Sequence, residues 1–332
     1  MDKTNLKASN GEKIAQIYNK VGIFAILILL VIACSFISPV FLSQANIINL
    51  LTQTAVVTIV ACGITMLIIS GNTDLSAGSM VAFTGCLILG TYKNLTQVSG
   101  IAPVPATVLA MLAGICVSIV LYVFAAAIMT RYRVPAFIVT LAVSQAARGL
   151  VFIYTNGKVI NTIGDIVVIG QGKIFNFLPW PAVVMIVIAM ITWFILSKTR
   201  MGKYLYAIGG NSEAARAAGI SQSKTVILSF VIHATFVAIA GGLFMARMNS
   251  AQPSAAVGLE FDAITAAIIG GASLAGGLGT ATGTIIGSLI IGIIGNILTL
   301  KSVQSYYQMI ITGLIILLAV VVDIKTKGGK RN

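Results

Sequence analysis

Residues 302–322 read SVQSYYQMIITGLIILLAVVV, a run without a single charged side chain, and the stretches 263–300 and 21–73 are equally free of charge. A hydrocarbon layer takes about 20 apolar residues to cross as a helix, and within it every backbone N–H and C=O must be satisfied inside the segment. Three such runs in one chain predict an all-α, polytopic integral membrane protein.

Composition agrees. The 332 residues are 58% hydrophobic and only 9% charged, with a mean hydropathy of +1.02, whereas soluble domains carry roughly 25% charged residues. A net charge of +13 raises the question of nucleic acid. The basic residues are scattered through short connections and both tails and form no stripe, so no nucleic-acid partner is expected. Cys34, Cys62, Cys86 and Cys116 all lie inside apolar runs with no Cys-x-x-Cys or Cys/His spacing, which reads as packing and predicts no metal site.

Breaking the chain at charges, prolines and glycine clusters predicts about ten spans: 21–38, 47–70, 76–92, 104–130, 136–155, 180–198, 225–247, 259–271, 280–299 and 305–323. An even number puts both termini on one side. With that side inside, fifteen Lys and Arg fall on inner segments and five (Lys93, Lys158, Lys173, Arg247, Lys301) on outer ones, with Arg148 within a span. The positive-inside rule therefore predicts cytoplasmic termini. The domain plan is a cytoplasmic segment 1–20, one transmembrane domain 21–323 and a basic cytoplasmic tail 324–332. The outer loop 156–179 contains Ile166–Ile169, expected as a short strand or a dip toward the membrane. The inner loop 199–224 has a helical pattern of its own.

Three motifs stand out. In Ser70-Gly71-Asn72-Thr73-Asp74-Leu75-Ser76-Ala77-Gly78, glycines and small hydroxyl residues break a helix and free backbone groups around an acid. Acids at membrane depth are costly and face a cavity or a partner. Asp-Leu-Ser is also a good helix start, so Asp74 reads either as a cap or as part of a transport pathway, and the two are compatible. In Tyr206–Ile220, Asn211 or Ser212 can cap a short helix, Glu213 suits its positive end, Ala214 and Ala215 propagate it past Arg216, and Gly219 ends it. Between Gly209-Gly210 and Gly219, such a helix suits docking into a soluble partner; a place on lipid headgroups is the alternative, against its weak apolar face. In Gly270-Gly271 to Gly276-Gly277, followed by Gly283 and Gly287, glycine density superficially resembles a phosphate loop, but Gly-x4-Gly-Lys-Ser/Thr occurs nowhere in the chain. Close helix packing or a broken helix is the better reading.

Gln252, Glu260 and Asp262 follow an outer connection, where they would meet a soluble partner, line a vestibule or simply be solvated. His233, the only histidine, sits in a span with no Cys, Asp or Glu near it in sequence, which favours packing or an interhelical hydrogen bond over a proton relay. No nucleophile elbow or metal-ligand spacing is present, and the chain reads as a transporter, not an enzyme.

At these three motifs the chain resembles the membrane permeases of bacterial sugar-uptake ABC transporters, the ribose/galactose/xylose permease family. Gly71–Gly78 matches the family's glycine-flanked Asp-Leu-Ser signature, Tyr206–Ile220 its cytoplasmic coupling segment, and Phe261–Gly277 its C-terminal signature. The stretches Arg133–Ile138, Tyr154–Gly157, Ser250–Pro253 and Ser305–Met309 are similar to the ribose members, while Asn72-Thr73 departs from them and leaves the sugar open. The resemblance implies a fold like the vitamin B12 importers (type II), with two permease copies around a central pathway. It also implies a cytoplasmic ATPase that holds Mg-ATP, so that this chain needs no cofactor, and a periplasmic or lipid-anchored binding protein. The expected function is import of a pentose, D-ribose first among the family's solutes, with galactose, xylose, autoinducer or nucleoside as alternatives. A neutral sugar needs hydrogen-bonding groups, and the candidates are Asn72, Thr73, Asp74, Ser76, Gln53 and Asn156. An ion-coupled carrier using Asp74 or His233 is the rival class.

Overall fold

The charge-free stretches fold as helices, and the computed structural model describes residues 10–161 and 164–327. In chain order these are α1 (Asn10–Ile37), α2 (Gln44–Ile69), α3 (Ala77–Gln97), α4 (Pro103–Tyr132), α5 (Ala136–Thr155), α6 (Val167–Gln171), α7 (Trp180–Lys198), α8 (Arg200–Gly210), α9 (Ser212–Ala217), α10 (Gln222–Met248), α11 (Leu259–Ile269), α12 (Ala281–Leu300) and α13 (Ser305–Lys327). Residues 1–9 and 328–332, with part of the expected cytoplasmic head and tail, lie outside the described residues.

Helix ends follow local chemistry. Ser43 and Thr280 place hydroxyl oxygens on the N–H groups of Asn46 and Gly283 and so cap α2 and α12. Pro103 and Pro181 sit in first turns, where a missing N–H costs nothing. Asn156 and Asn249 close α5 and α10 in the left-handed conformation, which asparagine tolerates better than most residues. α1, α3 and α13 run beyond the apolar limits expected from the sequence. Hydropathy marks where apolar surface ends, while a helix continues through polar residues such as Lys93.

All ten expected stretches are helical, and six helices among the described residues are long and apolar enough to cross a membrane: α2, α4, α5, α7, α10 and α12. α11, with 11 residues, is about 16 Å long, half of a hydrocarbon layer. The most apolar stretch of α2 is 89% buried and that of α5 only 22%. α2 is thus the axis of the bundle, surrounded by α7, α10, α11 and α12, while α4 and α5 lie outside α3 and α10. The outward faces of α1, α4, α7 and α13 carry Leu29, Phe36, Leu112, Phe124, Phe194 and Leu318 in the open. Exposed apolar surface on this scale marks contact with lipid or protein, and this is an integral membrane protein.

On the connection 156–179 the structure corrects the expected strand. Gly164–Ile166 forms a 3-10 turn that leads into α6. Ile166 and Gly170, four residues apart, are buried on one helical face, and a Cβ at Gly170 would strike the backbone of Ala246 and Arg247 in α10. The short strands nearby pair with one another and not with Ile166–Ile169: β1 (Ile160–Asn161) with β4 (Ser250–Ala251), and β2 (Lys173–Ile174) with β3 (Leu178–Pro179), both antiparallel. Of the four cysteines, Cys116 is exposed on α4, so the packing role expected for it does not hold.

Candidate functional site

α2 ends where Gly71, at φ +81°, lets its chain reverse: Gly71 N–H donates to Ile68 C=O and Asn72 N–H to Leu67 C=O, a Schellman closure. The chain then turns back into the bundle. Asp74 is fully buried, and its carboxylate accepts four hydrogen bonds. Ser76 donates its N–H (2.8 Å) and its hydroxyl (2.5 Å) to Oδ1. Tyr122 of α4 donates its hydroxyl to Oδ2 at 2.7 Å, and His233 Nε2 of α10 lies 2.8 Å from the same oxygen. An ionised carboxylate only accepts, and toward it Nε2 is the donor. Thr140 of α5 accepts the Leu75 N–H at 3.2 Å. One short turn therefore ties α3, α4, α5 and α10 together.

Depth follows from helix geometry. Tyr122 stands ten residues before the end of α4 and His233 eleven after the start of α10, which puts the carboxylate about 15 Å in from both helix ends. The site allows nothing larger at its edges: a Cβ at Gly63 of α2 would collide with the His233 ring. His233 and Tyr122 also meet edge to face at 5.2 Å between ring centroids. The sequence left His233 between packing and an interhelical hydrogen bond, and the structure shows the hydrogen bond. Asp74 does accept a backbone N–H ahead of α3, from Ser76 in an Asx turn. Ser76 itself occupies the cap position, but its hydroxyl, turned to Asp74, accepts no helix N–H.

The residues expected along a pathway separate by burial. Asp74 and Ser76 are enclosed, Asn72 and Thr73 are half-buried, and Gln53 and Asn156 are exposed. No hydrogen bond joins Gln53 or Asn156 to the Asp74 group. Asn72 reaches back to the Ser70 hydroxyl at 3.0 Å. Tyr122 and His233 were not singled out for this site. The only hint in the sequence was that a buried acid requires donors and that the single histidine had no local partner.

The inner connection forms two helices. Asn211 Oδ1 accepts the Ala214 N–H at 2.9 Å and caps α9. Gly219, at φ +80°, closes it with the same Schellman pattern that ends α2. Glu213, Ala214 and Arg216 are exposed on α9 while Ala215 is buried. Glu213 and Arg216 stand 3.8 Å apart. The rear of this unit is fastened tightly. A Cβ at Gly209 of α8 would strike Ile69 C=O at the end of α2, and Gly277 N–H donates to that same carbonyl at 2.9 Å. Tyr206 donates to Gly279 C=O at 2.7 Å, and burial raises its phenol above the ordinary range. Gly210 is exposed beside it.

The glycine-rich segment is a packing device. Gly283 lies against Gly270 C=O and Gly287 against Ala266 C=O, which brings the backbones of α11 and α12 together. Gly271, Gly276 and Gly277 take positive φ in the loop between them. Asp323 of α13 accepts the Leu274 N–H (3.2 Å) and the Ser273 hydroxyl (3.3 Å) from that loop. Of the residues expected at the outer face, Gln252, Glu260 and Asp262 are half-buried. Glu260 packs inward, against Gly78 in the first turn of α3.

Comparison with known proteins fits this architecture. A family described as a branched-chain amino acid transport system permease component matches residues 46–320. The ribose import permease of Bacillus subtilis is 38% identical over 93% of this chain and 94% of its own length, and that of Escherichia coli K12 is 38% identical over 92% and 93%. The xylose transport system permease of Haemophilus influenzae is 32% identical over 92% of this chain and 96% of its own. No solved structure gives a significant match. The agreement spans α2 through most of α13 and includes all three motifs, so the chain belongs to the family of transport-system permease components to which these sugar permeases belong.

Proposed function

We propose that this chain is the membrane-spanning subunit of an ATP-powered importer and that its solute is a pentose, D-ribose first. The observation that carries the reading is the 38% identity to ribose import permeases over 93% of the chain. Relatives named for xylose and L-arabinose support the pentose class. In this reading ten helices cross the membrane in a B12-importer-like fold, both termini are cytoplasmic, and two copies enclose the pathway. A separate ATPase binds Mg-ATP below, and a binding protein delivers the sugar from outside.

The geometry supports a route for the mechanical step. α9 offers its exposed Glu213, Ala214 and Arg216 to the ATPase, while α8 is fastened through Gly209 and Tyr206 to the end of α2 and the loop 271–279. A displacement of α8 and α9 would move the end of α2, and with it the Asp74 turn, between two packings. The test is uptake by vesicles holding the chain with its ATPase and binding protein. Glu213→Lys and Arg216→Glu should cut sugar-stimulated ATPase activity several-fold while the protein remains in the membrane; unchanged stimulation would remove the docking assignment.

The Asp74–His233 pair favours a second reading, an ion-coupled carrier, because a buried acid and histidine are what proton coupling uses. Uptake that needs no ATPase, or that collapses with an uncoupler while ATP is maintained, would decide for it.

A further inference from the structure

Gly283 and Gly287 press one side of α12 onto the backbone of α11. On its other side, toward α7, a groove of about 330 Å³ stays open. Ile186, Met190 and Trp193 form the α7 rim, Thr282 and Ile285 the α12 rim, and Ala189 lies buried at the floor. Pockets that hold small ligands begin at about this size. Water is a poor occupant, because it needs two to four polar partners and the side chains of this lining offer one hydroxyl, at Thr282. The rim residues of α7 are exposed, so the groove opens onto the face that meets lipid.

Its depth matches one leaflet. Lys198 ends α7, with Trp193 five residues before it and Ile186 twelve, so the groove runs from about 8 to about 18 Å below that end. Half of a hydrocarbon layer is about 15 Å. The mouth is cationic. Lys198 Nζ stands 5.8 Å from the centroid of the Trp193 ring, which holds the ammonium at the rim. Arg200 begins α8 two residues on, and Lys203 follows one turn later on the same face. All three are exposed, and none pairs with an acid among the described residues.

We propose that this groove seats an acyl chain of an anionic glycerophospholipid, whose phosphate rests against Lys198 and Arg200. The slot takes the hydrocarbon, and the unpaired cations at its mouth complement the headgroup. A zwitterionic lipid offers the same chain without the net charge, so the cations select between the two. A lipid held there braces the junction of α7 and α8, where Gly202 already lies against the Ile195 and Leu196 carbonyls.

The experiment uses the full chain in phosphatidylcholine vesicles that carry a minor share of phosphatidylglycerol. The sequence has two tryptophans, so Trp180→Phe leaves Trp193 as the single fluorophore. Bromine on an acyl chain quenches it only at contact. Quenching against lipid fraction should show brominated phosphatidylglycerol favoured about fivefold over brominated phosphatidylcholine, the factor that one cation near an anionic headgroup supplies. Lys198→Gln with Arg200→Gln should abolish the preference, and Thr282→Phe, at an exposed rim position, should lower it by filling the slot. Arg131→Gln with Arg133→Gln removes as much charge from the exposed end of α4 and should leave it unchanged.

Equal quenching by the two lipids overturns the site. So does a preference that the Arg131 and Arg133 substitutions abolish as fully, which is attraction to the whole surface. A preference that Thr282→Phe leaves intact overturns it as well, being a headgroup contact with no seated chain. Quenching needs neither ATPase nor sugar, so these outcomes bear on the lipid alone and leave the importer reading where it stands.

Discussion

Asp74 with His233 and Glu213 with Arg216 are the two acid–base pairs among the described residues, and they sit at opposite extremes. The first is 2.8 Å long, has no side-chain exposure and joins positions 159 residues apart. The second is 3.8 Å long, lies within one turn of α9, and leaves 79% of Glu213 and 65% of Arg216 exposed. Taking a charged group out of water costs about as much as its buried partners return, so a buried pair fixes an arrangement more than it stabilises one. The exposed pair fixes nothing and leaves both charges free for a partner. Burial separates architecture from recognition here, although both pairs stand beside a glycine-closed helix end.

The comparison breaks most decisively at His233. Replacing it with alanine removes one of four donors from an enclosed carboxylate, and a loss of about 3–5 kcal/mol is expected, read as thermal unfolding in detergent. Asp74→Leu together with His233→Leu should cost less than His233→Ala alone; an equal cost would mean that shape, not charge, decides the site. Next comes Gly283→Leu, which forces α11 and α12 apart at a backbone contact and should cost about 1–3 kcal/mol in the same assay. Smaller again is Asn46→Leu. The Asn46 and Asn296 amides exchange two hydrogen bonds (3.0 and 2.8 Å) between α2 and α12, and breaking them should cost about 1 kcal/mol, partly recovered by adding Asn296→Leu. Glu213→Ala should shift stability by less than about 0.5 kcal/mol, and a larger shift would show that α9 is built into the fold.

Positions of the helices were readable from the sequence because lipid imposes a one-dimensional rule: charge-free length is enough to mark a crossing helix. The short helix at 212–217 was readable for a similar reason, since Asn211, Glu213 and Gly219 act within little more than two turns of one another. The Asp74 site was half legible. Its turn announced itself through Gly71 and the Asp-Leu-Ser run, but Tyr122 and His233 arrive from α4 and α10, and no local pattern carries a contact across 48 or 159 residues. Of the two expectations for Ile166–Ile169, the strand fails because four apolar residues suit strand and helix equally. The close approach of Gly170 to α10 selected the helix, and that is a tertiary fact.

The carboxylate of Asp74 also constrains the order in which the protein is made. Residues 74 and 122 leave the ribosome long before residue 233, so through much of synthesis the acid has only Ser76 and Tyr122 to lean on. Until α10 is in place, the carboxylate lacks the His233 donor that it has in the folded chain. α10 is the element whose arrival lets the early helices lock, and a nascent chain stopped short of it should remain a target for membrane proteases.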